Sequence, residues 1–257
     1  MLRALYTGST GMETEQKRLD VISNNLANAT TVGYKKEGVT SQSFDDVLAL
    51  KVRDESAMQT DSAIGTMSLG VKIGEVYTDY SQGSLRETGN TYDLAIEGNG
   101  FFVVEVADSE GNTSTRYTRA GQFTMNQEGY IVDSQGNYLM GESGRLQVDT
   151  SAGEVLIDVD GSVYADGELV DKVTVKDFVD YNYLKKGAGT MYETMNGAIE
   201  KEVSGFVRQG FTEQSNVNVV SEMVNMIAIT RAYEANQKVI KSVDSTLELA
   251  VSSVGKI

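Results

Sequence analysis

The sequence predicts an α+β protein, with long terminal α-helices that form a coiled-coil-like bundle and, in addition, a central antiparallel β-domain of short strands. Three observations predict it: a heptad-spaced apolar row near the C-terminus, a narrower row near the N-terminus, and a middle region in which turn sequences recur at short intervals. The expected segments are an N-terminal helix and export/assembly segment at 1–36, extended connectors at 37–80 and 185–214, the β-domain at 81–184, and the C-terminal heptad helix at 215–257.

The C-terminal helix is predicted from apolar residues spaced alternately three and four positions apart, which is an a/d heptad pattern with one polar position. The row consists of Met226, Ile229, Tyr233, Asn236, Ile240, Val243, Leu247, Ala250 and Val254. Asn216 or Asn218 is expected to cap the start of this helix, and Gly255 to mark its end. Such a row is typical both of an amphipathic helix packed on its own domain and of a coiled-coil seam, and the spacing leaves both open.

The N-terminal helix is predicted from a weaker row whose members fall seven residues apart: Leu5, Met12, Leu19 and Leu26. The second heptad row is polar, and Gly8 and Gly11 weaken the first turns. A helix with so narrow an apolar stripe is not expected to be stable alone. Its expected partner is the C-terminal helix, either of the same chain or of a neighbour.

The middle of the chain changes to a β pattern. Phe101–Val106 is a strand candidate, and turn sequences such as Asp133–Asn137 and Asp158–Gly161 separate further apolar runs. Turns at this frequency indicate an antiparallel domain of short strands.

Composition and charge exclude whole classes of function. The 257 residues include no Cys and no His, which removes thiolate and Ser-His-Asp chemistry and the commonest metal ligands. The net charge is −15; the first 36 residues carry +2 and the last 41 carry zero, so residues 37–216 carry −17. This balance argues against nucleic acid as a partner, because phosphate binding needs clustered Lys and Arg.

No apolar run is long enough for membrane insertion, and the N-terminus lacks the apolar stretch of a secretory signal. The chain is therefore expected to be either cytoplasmic or exported by a route that uses no such signal.

Short motifs with possible chemistry have simpler interpretations. Gly98-Asn99-Gly100 lacks the third glycine of a dinucleotide fingerprint and is interpreted as a turn. Asp158-Val159-Asp160-Gly161 lacks the third acid of a calcium loop and is interpreted as a hairpin turn. The pair Lys35-Lys36 is interpreted as solvated. Two other classes, a carboxylate-pair enzyme such as a wall hydrolase and a β-domain binding module, compete with assembly, but neither needs heptads at both ends.

Three motifs, in the same order along the chain, resemble one family. They are Ser23–Lys35 (SNNLANATTVGYK); Tyr92–Phe102 (YDLAIEGNGFF) followed by Tyr117–Phe123 (YTRAGQF); and Ser215–Val219 (SNVNV) followed by Arg231–Lys238 (RAYEANQK). With these motifs the chain resembles the flagellar axial proteins that form the bacterial rod and hook. Met191–Val203 departs most from the pattern of the distal rod.

The resemblance implies a non-enzymatic structural subunit without cofactor or metal, located in the flagellar basal body. It implies a helical homo-oligomer that also contacts other rod and hook proteins, and export through the flagellar type III apparatus without a cleaved signal peptide. It favours the distal rod, with the proximal rod or the hook as alternatives. Assembly contacts are expected at Leu5, Met12, Leu19, Asn24, Asn25, Leu26, Asn28, Met226, Ile229, Tyr233, Asn236, Ile240, Val243 and Leu247.

Overall fold

The computed structural model describes residues 2–51, 62–107, 113–187 and 189–255. The chain divides into two compact units, each built from segments distant in sequence. The helical unit comprises Met1–Ala27, Glu37–Asp79 and Asn218–Ile257, and the β-unit comprises Asn28–Lys36 and Tyr80–Val217.

The helical unit contains the two terminal helices and two antiparallel strand pairs. Its elements are α1 (Leu2–Ala27), β1 (Glu37–Ser43), β2 (Val47–Lys51), β3 (Ser62–Met67), β4 (Val71–Thr78) and α2 (Val219–Val254). Strand β1 pairs with β4, and β2 pairs with β3. The region predicted as a simple connector at 37–80 therefore carries ladder hydrogen bonds over much of its length.

Helix α2 begins and ends where the sequence predicts. The side chain of Asn218 accepts a hydrogen bond from the backbone N–H of Ser221, so Asn218 is the N-cap. Gly255 follows the last turn as the C-cap. The helix has 36 residues and is about 54 Å long at 1.5 Å per residue. Within the described residues, neither helix is long and apolar enough to cross a bilayer.

The β-unit consists of short, mostly antiparallel strands. They are β5 (Leu85–Glu87), β6 (Leu94–Glu97), β7 (Phe101–Ala107), β8 (Thr113–Thr118), β9 (Phe123–Met125), β10 (Ile131–Asp133), β11 (Tyr138–Gly141), β12 (Gly144–Arg145), β13 (Val155–Ile157), β14 (Ser162–Ala165), β15 (Glu168–Lys172), β16 (Val175–Phe178), β17 (Leu184–Lys186), β18 (Met191–Thr194), β19 (Glu200–Lys201), β20 (Phe206–Gln209) and β21 (Phe211–Glu213). A 3₁₀ turn, Tyr181–Tyr183, lies before β17.

Strand β7 is the centre of the β-unit, because successive residues of a strand point to opposite faces of a sheet and both faces of β7 are covered. Phe102 and Val104 pack in one apolar cluster, whereas Phe101 and Val103 pack in another. The main sheet runs in the order β17-β18-β8-β7-β11-β10-β9. The antiparallel β-domain of short strands is thus confirmed.

The β-unit extends beyond the region 81–184 that the turn pattern suggested. Residues 185–214, predicted as an extended connector, contain β18 to β21, and β20 and β21 pair with β6 and β5. Gly33 of the N-terminal segment also belongs to the unit: its φ is +70°, and a side chain there would overlap the backbone of Ala120. The sequence boundaries were too narrow because short strands with mixed polarity look like connectors.

Candidate assembly interface

The two terminal helices pack against each other in antiparallel orientation. A Cβ atom added to Gly8 would lie 3.0 Å from Cγ1 of Ile240, and one added to Gly11 would lie 3.0 Å from Nδ2 of Asn236. Farther along, Asn25 of α1 contacts Glu222 of α2. The glycines that weaken the first turns of α1 therefore also allow the helices to approach closely, and Gly11 leaves room for the single polar residue of the α2 row.

The predicted heptad row of α2 forms its less exposed face. Ile229 is buried, the other predicted residues from Met226 to Ala250 are half-buried, and most residues between them are exposed; the side chain of Val254 lies outside the described part. Ile240 and Asn236 of this row meet α1 of the same chain. The row predicted as an assembly contact comprises Met226, Ile229, Tyr233, Asn236, Ile240, Val243 and Leu247.

The predicted residues of α1 behave similarly. Leu5, Met12, Leu19 and Leu26 are all half-buried, and Ile22 between them is buried. The contacts between the two helices that the structure details are those of Gly8 with Ile240, Gly11 with Asn236 and Asn25 with Glu222.

The asparagines of the N-terminal motif have different surroundings. Asn25 is fully buried, and its amide forms two hydrogen bonds with the backbone of Glu37: Nδ2 donates to the carbonyl at 2.8 Å, and Oδ1 accepts from the N–H at 2.9 Å. Nδ2 also lies 3.4 Å from Oε2 of Glu222. Asn25 therefore joins the end of α1, the start of β1 and the first turn of α2. Asn24 is exposed, and Oδ1 of Asn28 accepts a hydrogen bond from the hydroxyl of Thr31 in a local turn.

The interpretation of Lys35 as solvated was wrong. Lys35 is 1% exposed, and its Nζ lies 2.6 Å from Oε1 of Glu213 and 2.8 Å from the carbonyl oxygen of Ser81. Nη1 of the buried Arg119 lies 3.2 Å from Oε2 of the same carboxylate, and Nη2 donates to the carbonyl of Gly98 at 2.9 Å. We call Lys35, Arg119 and Glu213 the ion triad. The pair looked solvated because adjacent lysines normally are, and no local pattern shows a counter-charge 178 residues away.

A second surface of α2 escaped the sequence analysis. Val220, Met223, Val224 and Ile227 are spaced three and four residues apart, so they lie on one side of the helix. They are 48–72% exposed, and the one charged residue between positions 217 and 230, Glu222, is buried. We call these four residues the outer stripe. The sequence signal for this surface is that Glu222 is the one charged residue in the fourteen positions from 217 to 230.

No metal site is found within the part of the chain that the structure describes. Among its residues, no group of three or more carboxylates is placed to hold a metal ion. The notable features of the molecule are instead packed helices, an uncovered apolar stripe and buried polar links between distant parts of the chain.

Three family models match the chain in chain order. Residues 5–35 match "Flagella basal body rod protein", residues 95–165 match "Flagellar hook protein FlgE/F/G D1 domain", and residues 208–252 match "Flagellar basal body rod FlgEFG protein C-terminal". Each matched segment contains one member of the ion triad: Lys35, Arg119 and Glu213 respectively.

Relatives match nearly the whole chain. Flagellar basal-body rod protein FlgG of Bacillus subtilis is 33% identical, with 98% of this chain and 99% of the relative covered. Flagellar basal-body rod protein FlgF of Caulobacter vibrioides is 34% identical, with 100% and 98% covered. Flagellar hook-basal body complex protein FlhO of Bacillus subtilis is 29% identical over the full length of both chains.

Proposed function

We propose, from the premise that this chain belongs to the flagellar basal-body rod protein family, that it polymerises helically through its paired terminal helices. The family is structural, and the chain is a structural subunit of the rod rather than an enzyme. In this proposal the outer stripe of α2 is the surface through which one copy contacts the next.

The observation that carries the proposal is the outer stripe of α2. A side chain of the size of Val or Ile gains roughly 1.5–3 kcal/mol when it is fully buried, so four exposed members are a substantial driving force. The one charged residue between positions 217 and 230, Glu222, is buried, so no exposed charge in this stretch opposes such packing. A contact between unlike surfaces that does not close into a ring generates a helix of subunits, as a rod requires.

In this proposal the heptad rows stabilise the helix pair within one chain before that chain joins the assembly. The helix pair is held together by two rows: Leu5, Met12, Leu19 and Leu26 of α1, and the row from Met226 to Leu247 of α2. The pair then presents the outer stripe to a neighbouring copy. The coiled-coil-like bundle would then arise from helix pairs of successive copies. Exposed Asn24 is the member of the asparagine motif best placed for a neighbour, whereas Asn25 acts inside the chain.

The remaining partners and the position in the rod are also part of the proposal. We place the chain in the distal rod, with the proximal rod or the hook as alternatives, in contact with other rod and hook proteins. It reaches the basal body through the flagellar type III export apparatus, without a cleaved signal peptide. Relatives that are named as basal-body rod and hook-basal body proteins support a location among other rod and hook proteins.

The test places the same charge on and off the outer stripe. Val224→Asp puts an unpaired carboxylate into the proposed contact, which costs several kcal/mol when it is buried. Asn225→Asp adds the same charge at the adjacent exposed position and is the matched control. We expect Val224→Asp to be folded by circular dichroism but to give no rods in purified basal bodies under the electron microscope, whereas Asn225→Asp gives rods. Normal rods with Val224→Asp would refute the assembly surface.

A further inference from the structure

The chain contains two Asn-Gly pairs, Asn99-Gly100 and Asn196-Gly197. An Asn-Gly pair is prone to spontaneous chemistry, because glycine has no side chain to shield its backbone nitrogen from the amide carbon of the preceding Asn. Both pairs belong to the β-unit, but they lie in different surroundings. These surroundings decide which of the two can react while the chain is folded.

Asn196-Gly197 forms the tip of an exposed turn. The N–H of Ala198 donates to the carbonyl of Met195 at 3.2 Å, and the φ of Gly197 is +101°, as the third position of a type II turn requires. Asn196 and Gly197 are both exposed. The bond that closes the turn uses the N–H of Ala198, and within the described residues no hydrogen bond engages the N–H of Gly197. This nitrogen can therefore lose its proton to solvent and approach the side-chain amide of Asn196.

Asn99-Gly100 lies between β6 and β7, and packed groups hold it on both sides. Gly100 is buried, and a Cβ atom added to it would lie 2.9 Å from Cγ1 of Val175. The backbone just before the pair is fixed by the carbonyl of Gly98, which accepts a hydrogen bond from Nη2 of the buried Arg119 at 2.9 Å. A ring closure at Asn99 has to rotate backbone that is packed against these groups, and a close-packed interior resists such a shift.

We infer that Asn196 is a site of spontaneous covalent modification in the folded chain, where it converts to a mixture of aspartate and β-linked isoaspartate, and that the fold protects Asn99 from the same reaction. The observation that carries the inference is the contrast between the exposed turn at Gly197 and the packed backbone at Gly100. The inference goes beyond the proposed function and does not depend on it, because the reaction needs only the folded chain and water.

The reaction has two steps. In the first, the backbone nitrogen of Gly197 gives its proton to hydroxide and attacks Cγ of Asn196. The bond from this nitrogen to Cγ forms, the bond from Cγ to Nδ2 breaks, and Nδ2 takes a proton from water and leaves as ammonia. In the second, water opens the five-membered imide at one of its two carbonyls. Opening at Cγ gives aspartate, and opening at the main-chain carbonyl gives isoaspartate.

Both products change the turn, and isoaspartate changes it more. Each adds a negative charge to a chain whose net charge is already −15. Isoaspartate also routes the main chain through the former side chain, which inserts an extra carbon atom into the turn. The backbone on either side is anchored, because the N–H of Met195 donates to the carbonyl of Tyr183 at 2.8 Å and the N–H of Val179 donates to the carbonyl of Ile199 at 3.1 Å. The extra atom is therefore accommodated inside the turn, whose closing hydrogen bond is lost.

Peptide mapping of the unaltered full chain tests the inference. The folded chain is incubated in mildly alkaline buffer, digested and measured by mass spectrometry, which detects the mass gained when NH₂ is replaced by OH. We expect the peptide that contains Asn196 to convert several-fold faster than the peptide that contains Asn99. In urea the two rates should become similar, because the fold no longer protects either pair. Equal conversion of the two peptides in the folded chain, or a difference that urea does not change, would overturn the inference.

Isoaspartate is measured separately, with an isoaspartyl methyltransferase and labelled S-adenosylmethionine as the probe. The incubated, folded chain is expected to accept labelled methyl groups. Asn196→Gln should lose most of this label, because the longer side chain of Gln does not close a five-membered ring. Asn99→Gln is the matched control, since it removes the other Asn-Gly pair, and it should keep the label. Label that survives in Asn196→Gln, or that is lost only in Asn99→Gln, would contradict the inference.

Discussion

The ion triad links three distant parts of the sequence within the β-unit, and Glu213 is its centre. Glu213→Gln keeps the shape of the side chain but removes the charge that faces Lys35 and Arg119. Both cations are almost completely buried. The substitution therefore leaves two positive charges in the interior without their counter-charge.

The expected cost follows from burial. Removing one partner of a buried ion pair typically costs about 3–5 kcal/mol, because the remaining charge stays desolvated. Glu213→Gln leaves two buried cations without their counter-charge, so the loss of unfolding free energy is expected near the upper end of that range. Lys35→Met still leaves Glu213 paired with Arg119 at 3.2 Å, so its cost is expected near the lower end. For a protein of this size such losses lower the Tm by roughly 6–20 °C.

The assay is thermal and urea unfolding of the full chain, followed by circular dichroism and tyrosine fluorescence. Lys176 and Glu200 provide the control, because their charged atoms are also 2.6 Å apart but both side chains are largely exposed. An exposed pair is worth about 0–1 kcal/mol, so Glu200→Gln should barely change the free energy of unfolding.

Equal effects of Glu213→Gln and Glu200→Gln would refute this reasoning. So would a larger effect of Lys35→Met than of Glu213→Gln, because it would mean that the carboxylate is not the centre of the triad.

Two further predictions concern buried polar groups. Asn25→Ala should lower the free energy of unfolding by about 2–4 kcal/mol, because the backbone N–H and carbonyl of Glu37 lose their partners. Asn24→Ala is the control and should leave the free energy of unfolding unchanged. Equal urea midpoints of the two variants would contradict this prediction. Burial, and then the hydrogen bond to Asp177, raises the pKa of Tyr181 to about 12 from 10.0. The resulting stabilisation is complete below pH 10 and is lost as the pH rises towards 12. The free energy of unfolding of Tyr181→Phe should therefore depend less on pH between 10 and 12 than that of the unaltered chain. The same pH dependence in both proteins would count against this prediction.

Local rules of the sequence predicted the helices well. The position of α2 follows from its heptad row, and its ends follow from Asn218 and Gly255, because capping depends on residues within one turn. The α+β class follows from the change of period between the ends and the middle. These features depend on neighbours in sequence, which a single sequence displays directly.

Features that depend on distant residues were not predictable in the same way. The burial of Lys35 requires Glu213, and the pairing of β20 with β6 joins residues more than 100 positions apart. The sequence of β20, Phe206-Val207-Arg208-Gln209, shows no alternation of apolar and polar residues, because apolar Phe206 lies on the exposed side of the strand. The pattern therefore resembled a connector, although the backbone there is part of a ladder.

Helix α2 carries two apolar surfaces: the heptad row, which the spacing predicted, and the outer stripe, which it did not. A long helix that packs on one partner needs a single stripe, and the row containing Ile240 supplies it. Gly8 and Gly11 bring α1 close to that row, and a close approach across a polar position such as Asn236 favours one register over others. The first turns of α2 nevertheless keep an apolar face that α1 does not cover. A helix that is apolar on two sides in one stretch has to be buried on two sides there, which points to the start of α2 as the place where a neighbour adds its contact.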